Sequence, residues 1–131
     1  MVIYDWTEYH VLIISYLDIV KGHEMVSSAL EISGDLRFDS TRYVLCDWTR
    51  AERTEVSAED VTQLVAVMKS VCKICPTAKN ACVIQPDKDG NPLMAFYKML
   101  ADDLSWSVNI FKEHDEAFNW FGLPESQWPR W

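Results

Sequence analysis

Short apolar runs alternate along this chain with longer amphipathic stretches. Val2, Tyr4 and Trp6 alternate with Ile3, Asp5 and Thr7, the period of two expected of an edge strand with one wetter face. His10 to Leu17 follows, and its centre, Val11-Leu12-Ile13-Ile14, is apolar without a break. That pattern predicts a strand covered on both faces. Glu8-Tyr9 is too short for a crossover helix, so the two strands are expected to pair antiparallel as a hairpin.

The period then lengthens. Asp18 to about Ser33 predicts a helix with Val26, Ala29 and Leu30 turned inward and Glu24, Ser27, Ser28 and Glu31 turned out. Gly22 weakens its first turn by about 1 kcal/mol relative to Ala, and Gly34 marks its end. After a connection, Tyr43 to Trp48 reads as the third strand. A polar crossing leads to Ser57-Ala58-Glu59-Asp60, which has the form of a capping box. The helix it opens carries one stripe, Val61, Leu64, Val65, Met68, Cys72 and Cys75, and Pro76 stops it.

Ala81 to Ile84 is another continuously apolar strand, and Pro86 to Gly90 is a turn. Asn91 and Pro92 open a helix with Leu93, Phe96, Tyr97, Leu100 and Leu104 on one side. Trp106 to Phe111 alternates as the second edge strand should. His114 to Phe121 is the last helix, with Gly122 as a left-handed stop. The order β-β-α-β-α-β-α-β-α predicts a single layered α/β domain over residues 1–124. Its sheet is five-stranded, mixed and mostly parallel, with helices packed on it. Residues 125–131 form a tail carrying Trp128 and Trp131.

Composition narrows the function. A length of 131 residues fits one domain. The net charge is −8 and the twelve basic residues are scattered, which argues against nucleic acid and against an anionic membrane surface. The apolar run Val11 to Leu17 is too short to span a bilayer, so stable membrane insertion is not expected. Asp5 and Glu8 stand where a secretory signal would carry positive charge. Cys46, Cys72, Cys75 and Cys82 all fall inside apolar elements, as reduced core thiols do, so a cytoplasmic protein is expected.

Chemistry-bearing motifs are sparse. Cys72-Lys73-Ile74-Cys75 lies at the C-terminal end of its helix, where the dipole opposes thiolate formation, so packing is expected of it rather than redox or metal chemistry. His10, His23 and His114 stand singly, without metal or catalytic spacing, and the four glycines form no phosphate-cradling loop. Ser27-Ser28 reads as a solvated pair. No cofactor, metal ligand or catalytic residue is therefore assigned.

The remaining candidate is the loop leaving the third strand. Open α/β sheets bind ligands outside the carboxyl ends of their strands. Asp47, Trp48, Thr49, Arg50 and Arg53, with Gln85 from the next strand end, are the expected ligand-binding residues. Arg50 and Arg53 would offer forked donors to an anion and Trp48 an apolar wall. The plainer alternative is a solvated connection in which Asp47 caps a neighbouring backbone. Trp128 and Trp131 are expected to dock on their own chain or on a second copy, with a homodimer through an edge strand or this tail.

With the element order in place, the chain resembles the SpoIIAA-like family, related to STAS domains and in fold to the CRAL-TRIO (Sec14-like) lipid-binding domains. The resemblance rests on that order and on a strand ending in an acid, Val44-Leu45-Cys46-Asp47. It rests also on the closing segment Phe111-Lys112-Glu113-His114-Asp115-Glu116-Ala117-Phe118-Asn119-Trp120-Phe121. In the anti-sigma-factor antagonists of that family, the strand-end Asp is followed directly by a phosphorylatable Ser and a Gly that open the next helix. Here Trp48-Thr49-Arg50 follows Asp47, and the helix begins about ten residues later. The resemblance thus implies a non-enzymatic binding module. Its ligand would be a small apolar or lipid-like molecule, held between the sheet and the helices carrying Met68 and Phe96. The alternative it implies is a STAS-type regulatory module with a protein partner, using Thr49 or Ser57 as a modified residue.

Overall fold

The structure, a computed structural model, describes residues 1–85 and 91–129. The turn read at Pro86 to Gly90 and the terminal Trp131 lie outside the described residues. Five strands form the main sheet: β1 (Val2–Trp6), β2 (Val11–Tyr16), β4 (Tyr43–Asp47), β6 (Lys79–Val83) and β7 (Ser107–Phe111), in the order β1-β2-β4-β6-β7. β1 pairs antiparallel with β2, and the other three junctions are parallel. The five-stranded mixed sheet and both edge strands are as the alternation of residues predicts.

Among the described residues four α-helices cover the sheet: α1 (Gly22–Ser33), α2 (Ala58–Val71), α3 (Asn91–Leu100) and α4 (His114–Phe121). Alternation along the strands separates two cores. Leu12, Ile14, Val44 and Cys82 face α1, α2 and α3, while Val11, Ile13, Leu45, Ala81 and Val83 face α4. The second core is closed by Phe118, Phe121 and Leu123. All six residues of β2 are buried, which explains its unbroken apolar run.

Two short strands were not anticipated. β3 (Asp18–Lys21) and β5 (Ala51–Glu55) pair in parallel as a separate two-stranded sheet. Asp18 to Lys21 is therefore strand, and the first helix begins at Gly22 instead of Asp18. The polar crossing after Asp47 is likewise not a plain loop. Its middle, Ala51-Glu52-Arg53-Thr54-Glu55, is ordered by β3. In each strand a single residue, Val20 or Ala51, is buried, and the others are exposed or half-buried.

Helix ends follow local chemistry. At α2 the capping box forms in both directions: the Asp60 amide donates to Ser57 Oγ at 3.1 Å and the Ser57 amide to Asp60 Oδ2 at 2.8 Å. Such a cap is worth about 1 kcal/mol. The helix ends at Val71, ahead of Pro76, and Cys72 caps it. Gly122 takes φ 83°, the left-handed stop expected of it. Gly34 also ends its helix, but in a right-handed conformation. The buried stripe of α1 is Gly22, Met25, Ser28 and Ile32. Leu30, expected inside, is 56 % exposed, and Ser28, expected outside, is buried with its hydroxyl donating to the Met25 carbonyl at 2.8 Å. That local bond removes the cost of burying the hydroxyl.

Residues 125–129 fold back on their own chain. Trp128 lies 5.6 Å from the Phe118 ring centre, and its Nε1–H donates to the Leu123 carbonyl at 2.8 Å. Trp128 is thereby committed to the core that α4 closes.

Candidate functional site

The sheet face covered by three helices is not fully packed. A cavity of about 370 Å³ lies between them. Its floor is the cavity-facing side of the sheet, Leu12, Ile14, Val44, Cys46, Asn80 and Cys82. Met25 and Ile32 of α1, Val61 and Met68 of α2, and Met94 and Tyr97 of α3 form its roof. At the strand ends the wall is made by Tyr16, Trp48, Gln85 and the β5 residues Ala51 to Thr54. Glu52 and Arg53 are exposed members of this lining, so the mouth opens along β5. β5 of the small second sheet, invisible in the sequence pattern, is thus the rim of the cavity.

One polar group sits in this apolar floor. Asn80 is 1 % exposed, and its polar atoms are all used. Nδ2 donates to the Val44 carbonyl at 3.1 Å and to Cys46 Sγ at 3.5 Å, and Oδ1 accepts from the Tyr97 hydroxyl at 2.7 Å. The Tyr97 hydroxyl also lies 3.3 Å from Met68 Sδ. Burial pushes the Tyr16 and Tyr97 phenols well above their ordinary range, so both remain neutral donors.

The six residues predicted to bind ligand divide between two faces of the sheet. Trp48, Arg53 and Gln85 line the cavity. Asp47 points the other way, as alternation along β4 requires, and is 2 % exposed. Its Oδ1 accepts from the Thr49 amide at 2.9 Å and from the Thr49 hydroxyl at 2.6 Å. Its Oδ2 lies 3.3 Å from Nε2 of His114 at the start of α4. Burial raises the Asp47 carboxyl, but the bonds from His114 and Thr49 outweigh it and hold the pKa below the ordinary value. The capping role weighed for Asp47 is therefore present, and His114 joins it.

Arg50 lies exposed in the turn before β5, outside the lining of the cavity. Arg53 is at the mouth but donates to Glu55 Oε1 at 2.7 Å, beside Glu52. The pair of arginines does not form a shared anion-facing lip. Met68 lines the cavity as expected; on α3 the lining comes from Leu93, Met94 and Tyr97 in place of Phe96.

Cys72 and Cys75 are buried, and burial pushes both thiols up, Cys75 to about 11. The Cys75 carbonyl accepts from Trp106 Nε1 at 2.7 Å, so the CxxC turn is tied into the core. Among the described residues no three His, Cys, Asp or Glu side chains converge as metal ligands. Among the same residues no helix is long and apolar enough to cross a membrane.

Comparison with known proteins shows the fold class. The chain is similar to the anti-sigma factor antagonist SpoIIAA in its unphosphorylated form, with TM-score 0.56 and 8 % identity over 88 % of this chain and 92 % of that one. It is also similar to an uncharacterised DUF3478-family protein with a SpoIIAA-like fold from Shewanella loihica PV-4. There the TM-score is 0.53 and the identity 11 %, over 92 % of both chains. The fold is SpoIIAA-like. No protein-family pattern and no curated protein matches the sequence.

Proposed function

We propose that this chain is a non-enzymatic binding module that takes a small apolar or lipid-like ligand into the cavity over the main sheet. The cavity itself carries this reading. Its volume of about 370 Å³ falls in the range of small-molecule pockets, which are apolar with a few placed polar groups. Here the walls are aliphatic, aromatic and thioether side chains, and the placed polar groups are Asn80 and Tyr97. Trp48, Arg53 and Gln85 serve as the ligand-facing residues at the strand ends. This is also what the Sec14-like side of the resemblance implies. Native mass spectrometry of freshly purified protein, with thermal melts across a lipid panel, tests it. A bound mass or a raised melting temperature is expected; a strictly apo mass with no shift on any lipid overturns it.

The likeness to SpoIIAA favours a second reading, a STAS-type regulatory module that works through a protein partner. Its contact surface would be the exposed side of residues 48–57, the segment that leaves the end of β4. The Thr49 hydroxyl is engaged by Asp47 and Ser57 caps α2, so a phosphate on either would displace an existing bond. The two readings meet at β5, where Glu52 and Arg53 line the cavity mouth and also belong to that exposed surface. Pull-down from the source cell, with and without charge-reversing changes at Glu52 and Arg53, tests the second. Retention of the same partner by both forms counts against it.

A further inference from the structure

Two of the four cysteines face the cavity, and they face it together. Cys46 of β4 and Cys82 of β6 are register partners across the parallel junction, and both line the floor. Cys72 and Cys75 do not line it. Cys82 is fully buried, whereas Cys46 keeps partial exposure.

The surroundings of Cys46 differ from ordinary core packing. The Asn80 amide aims an N–H at its sulfur from 3.5 Å, and that amide cannot turn freely. Its other N–H is held by the Val44 carbonyl and its oxygen by Tyr97. A fixed donor favours thiolate over thiol, and the thiolate is the nucleophile. The direction of the thiol agrees. Hydrogen bonding from Cys82, opposed by burial and by the Asp47 charge and aided by Asn80 and Tyr16, holds Cys46 below its usual value. Cys72, Cys75 and Cys82 are all pushed up.

We propose that Cys46 is a covalent capture site for apolar soft electrophiles of the α,β-unsaturated carbonyl class that enter the cavity. The inference rests on the reading that the cavity admits an apolar ligand. The Cys46 sulfur forms a bond to the β-carbon of the enone. The π pair moves onto the carbonyl oxygen as an enolate, and the α-carbon takes up the proton that the thiol gives up. Nothing leaves, and no oxidant or reductant is needed, so the product has the summed mass of protein and electrophile. The cavity supplies the apolar body with a binding site whose floor holds the Cys46 sulfur.

The test uses the full chain with 3-nonen-2-one as probe and its saturated counterpart, 2-nonanone, as the control for binding alone. The expected result is a single adduct on the peptide holding Cys46, forming roughly tenfold or more faster than on Cys72 or Cys75. C46S, and C46A as a second variant, should lose that adduct, while the parent protein shows the thermal shift with 2-nonanone. Labelling spread equally over Cys72 and Cys75, or undiminished in both variants, overturns the proposal. A thermal shift with 2-nonanone but no adduct overturns the capture site and leaves the cavity reading standing. Neither shift nor adduct overturns both.

Discussion

The indole of Trp48 lies flat on the ring of Tyr16, with ring centres 3.8 Å apart and planes 8° from parallel. Tyr16 ends β2 and Trp48 follows the end of β4, so the stack ties two neighbouring strand ends together. It also closes the cavity where the sheet stops, since both rings line it. The Trp48 amide donates to the Val83 carbonyl at 2.9 Å, which anchors the indole from its own backbone. Trp48→Ala removes the stack and opens the wall. It is expected to cost about 3 kcal/mol in urea unfolding, and Trp48→Phe about 1 kcal/mol. An apolar dye held in the cavity should also leave faster from Trp48→Ala than from the parent, read by stopped-flow fluorescence. Equal dye release from both would mean that the stack is not part of the wall.

The sheet and its helices were legible because each repeats a period several times. Val61, Val65 and Met68 state a helix face, and Val11 to Ile14 a doubly covered strand, without help from any neighbour. β3 and β5 were not legible because neither repeats anything. Ala51-Glu52-Arg53-Thr54-Glu55 has one inward residue and three charges, and only its partner across the gap makes it a strand. Pairing of that kind is non-local, and the sequence pattern has no term for it. The site suffered in consequence. That Trp48 and Gln85 stand beside the cavity follows from their place just after strand ends. The face each residue takes was decided by alternation: Cys46 turns into the cavity and Asp47, one residue on, turns away. Arg50 and Arg53 were grouped by nearness in sequence, which β5 undoes.

Asn80 is the polar group on which the cavity floor depends. Replacing it with Leu would leave the Tyr97 hydroxyl only the weak Met68 Sδ acceptor and take one donor from the Val44 carbonyl. Each buried group left unpaired costs about 1–3 kcal/mol. Asn80→Leu is therefore expected to lose about 2–4 kcal/mol, and the double variant Asn80→Leu with Tyr97→Phe less than the sum of the two singles, because they share one bond. Additive losses in a double-mutant cycle would show that the two groups do not act as a unit.

Gly22 begins α1 where the helix comes against the capping box of α2. A Cβ added there would fall well inside contact with the Asp60 carboxylate. That carboxylate is held by the Ser57 amide, so it cannot yield without opening the cap. Gly22→Ala gains helix propensity of about 1 kcal/mol but is expected to be net destabilising by about 1–3 kcal/mol. If Asp60 is the obstacle, Asp60→Ser, which shortens the side chain, should recover part of the loss when combined with Gly22→Ala. A stabilised Gly22→Ala in thermal melts would show that the two helix starts are not in close contact.

Asp47 makes stability depend on acid. Its folded pKa lies below the unfolded value, which is about 3.9 for aspartate. Below the unfolded pKa the denatured chain takes up a proton that the folded carboxylate, held by His114 and Thr49, still refuses. The contribution of Asp47 is thus fully present above about pH 4 and is lost as pH falls from there through the folded pKa. Asp47→Asn keeps an acceptor for Thr49 but has no carboxyl to titrate. At neutral pH it is expected to be less stable than the parent by about 1–3 kcal/mol. The gap should narrow as the pH drops below about 4, because only the parent loses the carboxylate there. Urea unfolding of both forms at neutral, mildly acidic and strongly acidic pH reads it directly, and a gap that stays constant across the series would remove Asp47 as the source of the acid dependence.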